Sequence, residues 1–254
     1  MRHNRFFRLG VCLTAVVLFA PLSIARDDKA HSWTYSGEHG PEHWGELDAS
    51  FAACKTGQQQ SPIDIRSAKS LDLPAIEFKY QGTPLRIINN GHTIEVYPAP
   101  GSAIAVGGER YELKRFHFHH PSEEKINGKE YAMVVHLVHA DAKGKSAVVG
   151  VLLEEGRANP LIGTVWSYLP AEAGPERKYE DVRINVADLL PDDHGYYTYP
   201  GSLTTPPCSE GVRWFVLKKP VTISKGQAEA FGKIYAHNAR PTQPLHGRTV
   251  LETK

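Results

Sequence analysis

Apolar and polar residues alternate with a period of two in several short stretches of the chain, the pattern of a strand that buries one face. On this pattern, or on β-branched content, Leu85 to Asn89, Thr93 to Tyr97, Tyr111 to His119, Tyr131 to His139, Ala147 to Leu153 and Val212 to Leu217 are read as strands. Gly and Pro recur between them at the short intervals that turns require. Helical signals are fewer. Asn159 and Pro160 supply an N-cap and a first-turn proline ahead of Leu161, Ile162, Val165 and Trp166, with Pro170 stopping the turn. Ser224 and Gln227 have the spacing of a capping box. No repeat or linker divides the chain, and Gln58-Gln59-Gln60 is its only low-complexity tract. The pattern predicts a mainly β single domain with short peripheral helices.

The N-terminus follows a different pattern. Arg2, Arg5 and Arg8 precede an apolar run from Leu9 to Ala20, and Ser23-Ile24-Ala25 ends in small residues suited to cleavage. Residues 1–25 are read as a cleaved secretory signal, with 26–254 as the mature domain. The run is shorter than the roughly 20 residues of a spanning helix, so no membrane association is expected after cleavage, although a retained N-terminal anchor is the alternative. Composition agrees with a folded domain of 254 residues, 41% hydrophobic and 22% charged. The net charge of +1 becomes about −2 once the three arginines are removed, and no basic cluster offers a nucleic-acid footprint. Cleavage also removes Cys12 and leaves Cys54 and Cys208. An even pair in an exported protein usually forms a disulfide, here closing a loop of more than 150 residues, and two buried thiols are the other reading.

The densest chemistry lies in Phe116-His117-Phe118-His119-His120 and in Tyr131 through His139. Residues two apart on a strand share a face, so His117 and His119 point one way while Phe116 and Phe118 point the other. Between the two runs, Asn127-Gly128 marks a two-residue hairpin turn. Carrying the register outward from Ile126 facing Lys129 places His119 opposite His136, about 5 Å away at Cβ. Pro121 could introduce a bulge into that ladder. His117, His119 and His136 then converge on one face, while His139 falls on the opposite face and, with His120, is read as structural. Three imidazoles with one coordination position open describe a catalytic zinc site.

Several motifs together resemble the α-class carbonic anhydrases. They are Phe116-His117-Phe118-His119, His136-Leu137-Val138-His139 and Tyr199-Pro200-Gly201-Ser202-Leu203-Thr204-Thr205-Pro206-Pro207. Gly40-Pro41-Glu42-His43-Trp44, Gln60 to Ile65, Asn89-Asn90-Gly91-His92, Arg240-Pro241 and Gln243-Pro244-Leu245 extend the match in the family's order over nearly the whole mature chain. The resemblance implies a large twisted, mostly antiparallel sheet with zinc in a conical cleft. It also implies reversible hydration of carbon dioxide to bicarbonate and a proton, by attack of zinc-bound hydroxide.

By the same resemblance, Thr204 accepts a hydrogen bond from the hydroxide and donates its own to Glu123, since an ionised carboxylate only accepts. His92 matches the proton shuttle, a role that suits a group titrating near neutrality. Val138, Val148, Leu203, Val212 and Trp214 match the apolar wall for carbon dioxide, with Thr204 and Thr205 beside it. Cys54 and Cys208 match the disulfide of exported members, where it tethers the loop carrying Thr204. The implied protein is periplasmic or secreted, a monomer or a homodimer, with a small-molecule substrate and no nucleic acid.

Two residues depart from the pattern. Val134 stands where the family has a glutamate that receives a ligand histidine's second N–H, and Arg115 replaces a glutamine acceptor. Neither side chain can accept a hydrogen bond. Loss of such partners typically costs about 10–100-fold in metal affinity or activity. Water, a backbone carbonyl or a carboxylate such as Glu124 could substitute. Glu95 stands where a neutral amide is usual and could alter the water chain to His92. The expectation is an active zinc enzyme. The alternative is an exported carbonic anhydrase-like zinc-binding protein with little turnover.

Overall fold

The computed structural model describes Met1 and residues 32–254, so the expected signal segment lies outside the described residues apart from Met1. A 13-stranded mixed sheet runs through the chain. Its middle consists of Glu109–His119, Met133–Ala140 and Ser146–Glu155, paired antiparallel in succession. Ile94–Val96 and Thr83–Asn89 extend it on one side. On the other, Glu210–Leu217 joins Ser146–Glu155 in parallel and Tyr196–Ser202 pairs antiparallel with it. Most pairings are antiparallel, as expected, and every strand anticipated from alternation is present with small shifts of its ends.

Met133–Ala140, Ser146–Glu155 and residues 116–119 are buried on both faces, whereas Glu109, Arg110, Glu112 and Lys114 are exposed. Phe116, Phe118, Val135 and Leu137 face a large apolar core with Phe215 and the helix residues Leu161, Ile162 and Phe231. The opposite face carries His117, His119 and His136 and a second apolar cluster containing Val134, Val138, Val148, Val212 and Trp214. Both helix signals are realised. The side chain of Asn159 accepts the Ile162 N–H at 3.0 Å to cap Pro160–Trp166, and Ser224 and Gln227 form a reciprocal box at Lys225–Gly232. Among the described residues no helix is long and apolar enough to cross a membrane.

The turn is correct, but its register does not propagate. Ile126 and Lys129 exchange N–H···O bonds of 3.1 and 2.9 Å, and Asn127 and Gly128 take the positive φ of 52° and 79° that such a turn needs. The next contact outward is Ser122 N–H to the Tyr131 carbonyl at 3.1 Å, which leaves Glu123, Glu124 and Lys125 on one side facing Glu130 alone on the other. Two extra residues therefore bulge from the ladder. Lys125–Ile126 pairs instead, in parallel, with Asp64–Ile65. Beyond the bulge His136 lies opposite His117, and His119 lies opposite Val134, rather than His119 opposite His136. A shift of two preserves the facing of every side chain, so the predicted convergence survives the wrong pairing.

Candidate metal centre

His117, His119 and His136 are buried, and one ligand-capable nitrogen from each lies within 4.8 Å of the others. The outer nitrogens define how two rings are held. His119 Nδ1 donates to the Asn238 carbonyl at 2.7 Å, which leaves Nε2 unprotonated, and that Nε2 is buried without a hydrogen-bond partner. His136 Nε2 donates to both oxygens of Glu124 at 3.2 Å, which leaves Nδ1 free. Among the described residues His117 Nδ1 is buried with no acceptor, as the replacement of glutamine by Arg115 predicts. Arg115 turns instead to Glu95, Nε to Oε1 3.2 Å, and Tyr97 donates to the other Glu95 oxygen. Glu95 is thereby engaged on the strand beside His117, its cross-strand partner.

The donor set fits a borderline cation such as zinc: three imidazoles, two of them anchored through their outer nitrogens, with the orphaned His119 Nε2 aimed inward. Burial, followed by repulsion from the neighbouring imidazoles, holds the pKa of His117 and His119 well below the usual histidine range. Burial also acts to lower His136, but the Glu124 and Glu123 carboxylates outweigh it and its pKa is raised.

Glu123 lies beneath the triad, with Oε2 3.5 Å from His119 Nε2 and 3.8 Å from His136 Nδ1. Its Oε1 accepts the Arg240 backbone N–H at 2.8 Å. Burial pushes its pKa up to about 7, while the Thr204 side chain acts to lower it. Oε2 has no partner at ordinary hydrogen-bond distance. Thr204 itself is buried, in a loop closed by Leu203 N–H to the Ser209 carbonyl at 3.0 Å and Cys208 N–H to the Thr205 carbonyl at 2.8 Å. Thr205 is half-buried in the same loop. Cys208 is disulfide-bonded to Cys54, with the Cα atoms 5.0 Å apart. The buried Arg240 guanidinium reinforces this anchor by donating to the Cys54 and Ser61 carbonyls and to Gln60, whose amide donates to the Cys208 carbonyl.

Val138, Val148, Val212 and Trp214 share one apolar cluster, with Leu203 packed against it. The Trp214 ring lies 4.9 Å from His136, so this wall adjoins the triad. Trp214 reaches that position against Gly201, where a Cβ would collide with the indole and with Ser61 Oγ. His92 is half-buried, and its turn is fixed by Asn90 Oδ1, which accepts the N–H groups of His92 and Thr93 at 2.9 Å. Its ring stacks on Trp33 with centroids 3.7 Å apart and planes at 8°. Burial lowers its pKa. His139 is on the opposite face, bonded to Tyr80 Oη at 2.9 Å, and His120 Nδ1 bonds the Ala236 carbonyl at 2.9 Å, so both are structural as anticipated.

Trp33 and Asn238 were not anticipated. Asn238 contributes a backbone carbonyl, for which the sequence offers no signal, and Trp33 stands far from His92 in the chain.

A mainly β fold with a buried three-histidine centre defines a class of candidate mononuclear metal proteins. Comparison with known proteins is more specific. The profile of eukaryotic-type carbonic anhydrases matches residues 39–254. A carbonic anhydrase of Nostoc sp. is 43% identical over 88% of this chain and 87% of its own. The solved α-carbonic anhydrase of Thermovibrio ammonificans, in complex with sulfanilamide, superposes with a TM-score of 0.84 at 46% identity, covering 88% of this chain and 99% of that one. Dioscorin, solved in complex with ascorbate, superposes with a TM-score of 0.81 at 32% identity, covering 87% of this chain and 97% of its own. The chain belongs to the eukaryotic-type, or α, carbonic anhydrase family.

Proposed function

We propose that the chain is an exported zinc enzyme that reversibly hydrates carbon dioxide to bicarbonate and a proton. The observation that carries this reading is the buried His117, His119 and His136 cluster in a chain of this family. Zinc held there would act as a Lewis acid and make hydroxide available near neutral pH, as is established for carbonic anhydrases.

The protein's own groups supply the rest. The neutral imidazoles leave the cation's charge uncancelled. Glu123, fixed by the Arg240 N–H, draws the Thr204 proton, so that Thr204 is left as an acceptor aimed at the nucleophile. Val138, Val148, Leu203, Val212 and Trp214 exclude water from the side where an uncharged, linear substrate must approach, with Thr205 at its edge. His92 takes the proton released in each turnover and passes it to solvent. The disulfide supports export, as does the signal-like segment 1–25 ahead of a mature domain 26–254.

The low-turnover alternative rests on lost acceptors at two ligand histidines. Glu124 stands at His136 Nε2 in place of one of the two lost acceptors, which favours the active enzyme, while among the described residues His117 has none. The test is substitution of each ligand. His117→Ala, His119→Ala and His136→Ala should each abolish zinc retention and carbon dioxide hydration. Hydration that survives in a zinc-free triple variant would remove the reading.

A further inference from the structure

The two-residue excess that shifts the ladder carries Glu123 and Glu124, so the same irregularity brings both carboxylates under the histidines. Glu124 is fully buried. Its segment is pinned by Ser122 Oγ donating to the Glu124 carbonyl at 2.8 Å and by Lys125 N–H donating to Ile63 at 3.3 Å. Both carboxylate oxygens lie 3.2 Å from His136 Nε2, on the side of the ring away from the nitrogen available to a metal. Val134, the position from which a strand carboxylate would reach His136, is fully buried and packs with Ile63, Ile65 and Leu152. It offers no acceptor.

We infer that Glu124 is the positioning residue of the metal centre: it holds the outer N–H of His136 and so fixes the orientation of that ring, a role moved from the strand position 134 to the bulge. The inference rests on the zinc reading above. A carboxylate on the outer N–H of a ligand imidazole orients the ring and strengthens the metal bond, and its removal typically costs about 10–100-fold in metal affinity. Placing it on the bulge has a structural consequence. One short segment then holds both the group that acts on Thr204 and the group that orients His136.

The test is zinc affinity by chelator competition for wild type, Glu124→Gln, Glu124→Leu and the transposed double variant Glu124→Leu/Val134→Glu. Urea unfolding of the zinc-free proteins serves as the control for a merely structural role. Glu124→Leu should bind zinc about 100-fold more weakly and release it faster, and Glu124→Gln about 10-fold more weakly. The double variant should recover most of the loss. Nitrogen NMR of zinc-free wild type should show the His136 proton on Nε2. Should Glu124→Leu not fold, the isosteric Glu124→Gln carries the same direction. Wild-type zinc affinity in a folded Glu124 variant, or no recovery in the double variant, would overturn the assignment. A wild-type chain that holds no zinc would overturn the zinc reading as well, so the two failures are distinguishable.

Discussion

Cys208 is bridged to Cys54 across 154 positions of sequence, and the loop it anchors carries Thr204. A cross-link of that span removes much of the freedom of the unfolded chain, about 5 kcal/mol by loop-closure entropy. Reduction, or Cys54→Ser with Cys208→Ser, should lower the unfolding free energy by several kcal/mol in urea titration. It should also lower kcat/KM, because the Thr204 loop loses its anchor. A reduced protein with unchanged activity would show that the hydrogen bonds from Arg240 and Gln60 hold the loop alone.

Thr204 and Glu123 act as one unit in the proposed mechanism. Thr204→Ala and Glu123→Gln should each reduce kcat/KM by about 10²-fold, the usual cost of removing one preorganised hydrogen-bonding group. The double variant should be little worse than either single one, because both break the same chain. Steady-state hydration kinetics on zinc-loaded protein decide this, and additive losses would separate the two residues.

His92 is assigned proton transfer, which follows the chemical step. His92→Ala should therefore depress kcat by about 10²-fold while leaving kcat/KM nearly unchanged, and added imidazole should restore kcat. Equal losses in both parameters would place His92 in substrate conversion instead.

His139 should shape the acid limb of stability. Burial lowers its pKa from 6.5 to about 3, so the unfolded chain takes up this proton through a window in which the folded chain does not. Stability is therefore complete above about pH 6.5 and falls as the pH is lowered toward 3, by up to about 1.4 kcal/mol per pH unit from this residue. His139→Gln should flatten the slope of unfolding free energy between about pH 6 and 4. An unchanged slope would assign acid sensitivity to other groups.

Much of this was legible in the sequence, because period-two alternation depends only on neighbours. It fixed the facing of His117, His119, His136 and His139 and the apolar strands behind them. The Asn159 and Ser224 caps and the Asn127-Gly128 turn were equally local. The register was not local. Lys125 and Ile126 are captured by Asp64 and Ile65, a remote strand with no mark in the hairpin's own sequence. For the same reason the Asn238 carbonyl and the Trp33 stack on His92 were hidden: a backbone acceptor has no residue signature, and a stacking partner is chosen by the fold. The departures at Val134 and Arg115 were visible as losses. Only the structure distinguishes them, since Glu124 faces the outer nitrogen of His136 whereas no acceptor among the described residues faces that of His117.

The most direct measurement is stopped-flow carbon dioxide hydration by metal-free protein titrated with zinc, with metal content determined on the same samples. Hydration should be negligible without zinc, rise linearly with added metal, break at one zinc per chain and be reversed by a chelator. Protein that holds one zinc per chain and still fails to hydrate carbon dioxide would contradict the proposed function.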